Sequence, residues 1–250
     1  MDEKENKTGA DERLEAGEIK VKMPFSKWFE NYWYHYKWHT IAVVFTVIVL
    51  CVLITQCATK PRYDTHILYA GDKAVSTSKT NPERQQFLSS FGLVASDFDK
   101  NGEISVAFKH LYYPDAEEIE RLSKLEKEGK GELPESLIYE DKKMLDTMMI
   151  SGEYYLLFLD RAVFDNYCKR GVISAVETHL SGAYDGEIVK GENGGSGIYL
   201  KDTAFYDYEG IKTLPEDTVI CIRMADAFAT DSDLKKVENA AAVLNKILAL

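Results

Sequence analysis

From Trp38 to Thr59 the chain runs for 22 residues without an Asp, Glu, Lys or Arg. No other feature limits its fold so strongly. Within that run, residues 41–54 hold a single polar side chain, Thr46. At about 1.5 Å per residue the run makes a helix of roughly 33 Å, which matches a hydrocarbon core of about 30 Å. No other stretch is apolar for so long, so the pattern predicts one transmembrane helix. A cleaved signal peptide would have a shorter leader and a small-x-small site, and residues 56–59 (Gln-Cys-Ala-Thr) supply only a poor one. Gln56 before Cys57 lacks the small residue that a lipidation signal needs. A buried core helix fits neither the charge-free length nor the aromatic residues in front of it.

Those aromatics are Phe25, Trp28, Phe29, Tyr32, Trp33, Tyr34, Tyr36 and Trp38, and they include all three tryptophans of the protein. Tyr and Trp favour the membrane–water boundary, where the ring is half dry and its polar atom is wet. Phe25, Trp28, Phe29, Tyr32 and Tyr36 follow helical spacing, which predicts an interfacial helix leading into the span. Lys20, Lys22, Lys27 and Lys37 precede the span, and Lys60 and Arg62 follow it. That bias places the N-terminus in the cytoplasm and the C-terminal part outside. Three parts are expected: a disordered cytoplasmic tail at 1–24, the aromatic segment and span at 25–59, and an extracytoplasmic domain at 60–250. His35 and His39, four residues apart, lack a nearby Cys or Asp to complete a metal site and read as headgroup-level side chains.

The net charge of the chain is −11, and residues 60–250 carry −10 of it. A domain this acidic, with no basic stripe, excludes nucleic acid as a partner and disfavours anionic lipid for that domain. Its only cysteines are Cys168 and Cys221, either two buried thiols or one disulfide.

Residues 65–70 and 103–113 read as strands, and 154–159 is a continuous apolar run, the pattern of a strand covered on both faces. Further strands are expected at 197–200 and 218–223. Pro82 after Asn81 starts a helix that stops at Gly92, and Pro114-Asp115 starts another. Ser136 and Asp160 read as caps of the next two. Residues 172–196, rich in glycine, read as loop. The last helix begins at Asp231 or Ser232, with Leu234, Val237, Ala241, Leu244 and Leu248 on one face. Repeated strand–helix–strand units predict an α/β fold, a mainly parallel sheet with helices on both faces.

The most specific local motif is residues 97–105, Asp-Phe-Asp-Lys-Asn-Gly-Glu-Ile-Ser. Asp97, Asp99, Asn101, Glu103 and Ser105 stand at the odd positions of an EF-hand-type calcium loop, with Gly102 at the sixth. The twelfth position, where a bidentate Glu belongs, is Phe108, and a strand pattern follows. A standard EF-hand is therefore excluded. A calcium loop completed by a distant carboxylate, or a polar turn, remains. Glycines at 191–197 lack the Lys-Ser/Thr and helix of a phosphate loop. Gly-x-Ser-x-Gly, His-Glu-x-x-His and Cys-x-x-Cys are all absent. His66 and His110 sit in strand patterns and read as structural.

Residues 34–41 (Tyr-His-Tyr-Lys-Trp-His-Thr-Ile) and 63–71 (Tyr-Asp-Thr-His-Ile-Leu-Tyr-Ala-Gly) resemble uncharacterised single-span membrane proteins of Gram-positive anaerobes. In element order the outer domain is similar to one lobe of the type 2 extracytoplasmic solute-binding proteins. Members of that family hold a solute between two lobes, and the expectation here departs from the pattern: a single lobe, without room for the second that closes over a solute. The first expectation is a membrane-anchored extracytoplasmic interaction module without catalysis, with a protein partner in the envelope. The alternatives are a solute-binding or sensing domain attached to a transporter, and an envelope enzyme.

Overall fold

The computed structural model of the protein describes residues 24–58, 63–75, 78 and 80–250. The tail expected at 1–24 lies outside these residues except for Pro24, as do Lys20, Lys22, Lys60 and Arg62. The chain divides into two compact units, Met1–Pro61 and Arg62–Leu250.

The first unit contains one helix, α1 (Phe25–Ala58). Its most apolar 18-residue window has mean hydropathy 2.4, and the stretch Phe25–Gln56 is long and apolar enough to cross a membrane. The aromatic segment and the apolar part form one continuous helix. The polar atoms inside the apolar part are satisfied within the helix, as a bilayer demands. Thr46 Oγ1 donates to the Ala42 carbonyl at 2.9 Å and Thr55 Oγ1 to that of Cys51 at 2.8 Å. The aromatics form a ladder in which Phe25 stacks on Phe29, Phe29 on Trp33, Trp28 on Tyr32 and Tyr32 on Tyr36.

The second unit has strands β1 (Thr65–Gly71), β2 (Val106–Tyr112), β3 (Leu156–Leu159), β4 (Ile188–Lys190), β5 (Ser196–Tyr199) and β6 (Val219–Ile222). Its helices are α2 (Pro82–Val94), α3 (Ala116–Lys127), α4 (Glu135–Ser151), α5 (Arg161–Lys169) and α6 (Asp231–Leu248). The sheet order is β2-β1-β3-β6-β5-β4. β1 pairs in parallel with β2 and β3, whereas β3–β6, β6–β5 and β5–β4 are antiparallel. The sheet is therefore mixed, not mainly parallel. The glycine-rich region read as loop is the source of the difference. Ile188–Lys190 turns back at Gly191 to pair with Ser196–Ile198. A Cβ on Gly191 would lie 2.4 Å from the Cys168 sulfur, so only glycine lets this turn pack on α5.

Alternation along the strands divides the core. Ile67, Tyr69, Phe158 and Ile220 face α2 and α6, joined by Phe87, Phe91, Val243 and Leu244. Leu68, Ala70, Leu157 and Cys221 face α4 and α5, joined by Leu145, Met149 and Phe164. Helices thus cover both faces, as the apolar run at 154–159 predicts. Cys168 and Cys221 are both buried and free. Two helix starts agree with the sequence: Asn81 accepts from the Glu83 and Arg84 amides, and Asp115 from the Glu118 amide. Ser136 is not a cap; it lies inside α4, which follows Pro134.

The sheet edges are closed in two ways. On β2, the Phe108 carbonyl accepts from Arg84 Nη2 at 3.0 Å and the Tyr112 amide donates to Asp141 at 2.7 Å. At the other edge β4 has three residues.

Phe91 ties α2 to the sheet. It is fully buried and meets Phe87, Phe108, Phe158 and Phe205 with ring centroids 5.3–6.5 Å apart. Phe91→Ala should lower the unfolding free energy by about 3–5 kcal/mol in urea titration, the cost of a cavity in a close-packed aromatic core.

Candidate functional sites at the two ends of the sheet

The crossover from β1 to β2 carries α2 and the crossover from β2 back past β1 to β3 carries α4; the two helices pack on opposite faces, and the strand order reverses between β1 and β3. Such a switch point opens a crevice at the carboxyl ends of the strands. Here the crevice is acidic. It encloses about 610 Å³ beside Asp72, Asp115, Glu117 and Glu118, and its cations Arg121 and Lys124 pair with Glu118 and Glu120.

Beneath it lies Asp160. The sequence reads it as the cap of α5, but its side chain makes no cap hydrogen bond. It turns back into the sheet instead. Oδ2 accepts from the Asp72 amide at 2.8 Å and the Tyr69 hydroxyl at 3.1 Å, and Oδ1 accepts from the Thr218 hydroxyl at 2.8 Å. A Cβ on Gly71 would fall 1.9 Å from Oδ2, so glycine makes the close approach possible. Burial, helped by the charges of Asp72 and Asp217, raises the Asp160 pKa to about 7 against the hydrogen bonds that lower it. Asp72 is pushed up as well, first by burial and then by Asp217, Asp115 and Glu118.

The amino end of β1 carries a second buried aspartate, Asp64. Its Oδ1 accepts from the Phe98 and Asp99 amides at 2.8 and 3.1 Å, and its Oδ2 from the Ser105 amide and hydroxyl, both at 2.9 Å. Asp64 is 5 % exposed and Asp160 6 %, so exposure does not separate them. Burial raises the Asp64 pKa too, but four donors outweigh it and hold the carboxyl below the ordinary range.

The calcium-like loop hangs from Asp64. Left-handed backbone at Lys100 (φ 60°) and Gly102 (φ 90°) curls it. Asp97 accepts from the Asn101 and Gly102 amides, Asp99 from the Asn101 amide and side chain, and Asn101 Oδ1 from the Glu103 amide. Oxygens of Asp64, Asp97 and Asp99 lie within 4.8 Å of one another. Of the five ligands read from the sequence, then, Asp97 and Asp99 converge. Asn101 accepts from the loop backbone, Glu103 is exposed, and Ser105 is turned to Asp64. The distant carboxylate is Asp64, but its four donors already occupy both its oxygens. Phe108, at the twelfth position, lies in the core.

Beside this loop a groove of about 380 Å³ runs between the start of β1 and the first turns of α6, lined by Thr65, Phe98, Tyr155, Lys236 and Asn239 among others. Its rim is held by Arg223, which the sequence reading missed. Arg223 is 4 % exposed, donates to the Met149 carbonyl at the end of α4, and stacks on Tyr155 at 5.2 Å. Lys236 adds a bond from α6 to the Gly152 carbonyl. From the segments so joined, Ile150, Met224, Phe228 and Leu234 project into solvent. The lone signal for this in the sequence is one charge closing an apolar strand, Ile222-Arg223.

Burial lowers the His110 pKa, and its ring stacks on Tyr69 at 5.6 Å; its Nε2 has no hydrogen-bond partner among the described residues. No protein-family profile, curated protein or solved structure matches the chain.

The two aspartates should act on stability with opposite signs. The folded-state pKa of Asp160 lies above its ordinary 3.8, so folding binds a proton between that value and about 7. Stability should therefore fall by a few kcal/mol as pH rises through this window and level off above it. Asp160→Asn should flatten that slope in urea titrations at a series of pH values. Asp64 contributes stability above its ordinary pKa and loses it as pH falls through its lowered value. Asp64→Ala should cost about 2 kcal/mol at neutral pH, because three partly buried backbone amides lose their acceptor.

Proposed function

We propose that the protein is a membrane-anchored interaction module without catalytic activity, part of an envelope complex. In this reading α1 spans the cell membrane with its N-terminus in the cytoplasm, and the α/β domain meets its partner on the extracytoplasmic side. The observation that carries the reading is the exposure of large apolar side chains on the segments that Arg223 and Lys236 join: Phe228 is 93 % exposed, and Met224, Ile150 and Leu234 are exposed as well. A side chain of this size in water forgoes about 1.5–3 kcal/mol of burial. The Asp226 carboxylate accepts from the Phe228 amide at 2.8 Å, a local turn that carries the ring outward. Large aromatic side chains are common anchors of protein interfaces.

Phe228→Asp together with Met224→Lys should leave the unfolding midpoint of the domain unchanged. The same pair should shift the full-length protein, extracted from its own membrane in mild detergent, from a complex to a smaller species in sedimentation. A wild-type protein that sediments alone would sink the reading.

A second reading, calcium-supported binding of a small solute in the adjoining groove, is favoured by the convergence of Asp64, Asp97 and Asp99. Calcium takes six to eight oxygens. With the Asp64 oxygens already accepting four donors, Asp97 and Asp99 would have to share the ion with water and loop carbonyls. On this reading calcium at 100 times its dissociation constant raises stability by about 2.7 kcal/mol, and Asp97→Asn with Asp99→Asn abolishes the rise. No shift in unfolding temperature between calcium and chelator would eliminate it.

A further inference from the structure

α1 is longer than a bilayer requires. Its 34 residues extend about 51 Å, against a hydrocarbon core of about 30 Å. If the charge-free run from Trp38 fills the core, Phe25 lies about 20 Å along the axis before it. The headgroup layer on each side is only about 5–8 Å deep. An upright helix would therefore hold its first turns, with their aromatics, in water.

Those aromatics are not scattered. Phe25, Trp28, Phe29, Tyr32, Trp33 and Tyr36 are joined ring to ring along one side of the helix, and all six are exposed. At 100° per residue, Lys27, Glu30, Asn31 and Lys37 fall on the other side. The surrounding charge is unlike that of the rest of the chain. Residues 20–37 hold four lysines and one acid, Glu30, in a protein whose net charge is −11. An aromatic stripe backed by lysines is the pattern of a helix that lies in the plane of an anionic membrane surface.

We propose that the six-residue aromatic stripe of α1 docks on an anionic lipid surface, so that the helix bends where stripe meets span and its first three turns lie along the bilayer. The inference rests on the anchor reading of α1 and adds a second, lipid-selective contact to it. The span would fix the depth of the protein, and the stripe its choice of membrane.

All three tryptophans belong to this segment, so the tryptophan fluorescence of the full chain reports on it alone. Two variants separate its ends. One keeps Trp28 and carries Trp33→Phe and Trp38→Phe; the other keeps Trp38 and carries Trp28→Phe and Trp33→Phe. Each full-length protein is reconstituted into vesicles of phosphatidylcholine and phosphatidylglycerol whose acyl chains bear bromine close to the glycerol. The expected result is equal loss of fluorescence at Trp28 and Trp38. On phosphatidylcholine alone Trp28 should lose its quenching while Trp38 keeps it. The proposal is overturned if Trp28 escapes bromine and is quenched by acrylamide, which would leave the stripe in water. It is equally overturned if Trp28 is shielded from both quenchers, which would mean that protein, such as a second copy, covers it. Quenching of Trp28 that persists in neutral vesicles removes the selectivity for anionic lipid. If Trp38 also escapes bromine, the anchor reading has failed, and this inference with it.

Discussion

The α/β domain turns on one carboxylate at the seam of its sheet. β3 runs parallel to β1 on one side and antiparallel to β6 on the other. The end of β3 therefore stands beside the end of one neighbour and the beginning of the next. Asp160, the residue after β3, takes a backbone amide from just beyond β1 and a hydroxyl from just before β6. A residue at the end of any other strand in this sheet would not have both within reach. The parallel and antiparallel halves are thus fastened by a group that burial and neighbouring acids disfavour in its charged form. Asp64 does the corresponding work at the other end of β1, but backbone amides surround it and its charge is welcome. The contrast shows how a buried acid is governed by the donors and charges it meets more than by its exposure.

Much of this fold can be read from the residues. The long apolar helix, the capped starts of α2 and α3, the doubly covered β3 and the apolar face of α6 all depend on patterns within one segment. What cannot be read depends on residues far apart in the chain. Asp64 receives donors 34 to 41 positions away, and Asp160 is bound by groups 58 to 91 positions away. In the sequence each is one acid among many. The direction of the strands failed for a related reason. A parallel pair needs a crossover, and the first two crossovers are plain. The antiparallel half is made by a glycine turn shaped to the Cys168 side chain and by a string of 3-10 turns between Val176 and Thr213, none of which carries the short signature of a tight hairpin.

The calcium-like motif shows the same limit from the other side. Its spacing is local, and the structure does curl the loop about Asp97 and Asp99. Whether such a curl holds an ion or only its own backbone depends on where the remaining oxygens go, and Ser105 goes to Asp64. Through Asp64 the loop links the entry of β1 to the entry of β2.

On the proposed membrane-anchor reading, the guarded edges of the sheet have a consequence. Confinement to a membrane replaces free tumbling with lateral drift, in which copies meet repeatedly in similar orientations. An uncovered strand would then be a standing invitation to zip neighbouring sheets together. Arg84 and Asp141 occupy backbone groups on β2, and β4 is too short to template a long pairing. The domain can be crowded on a surface without its sheets joining end to end.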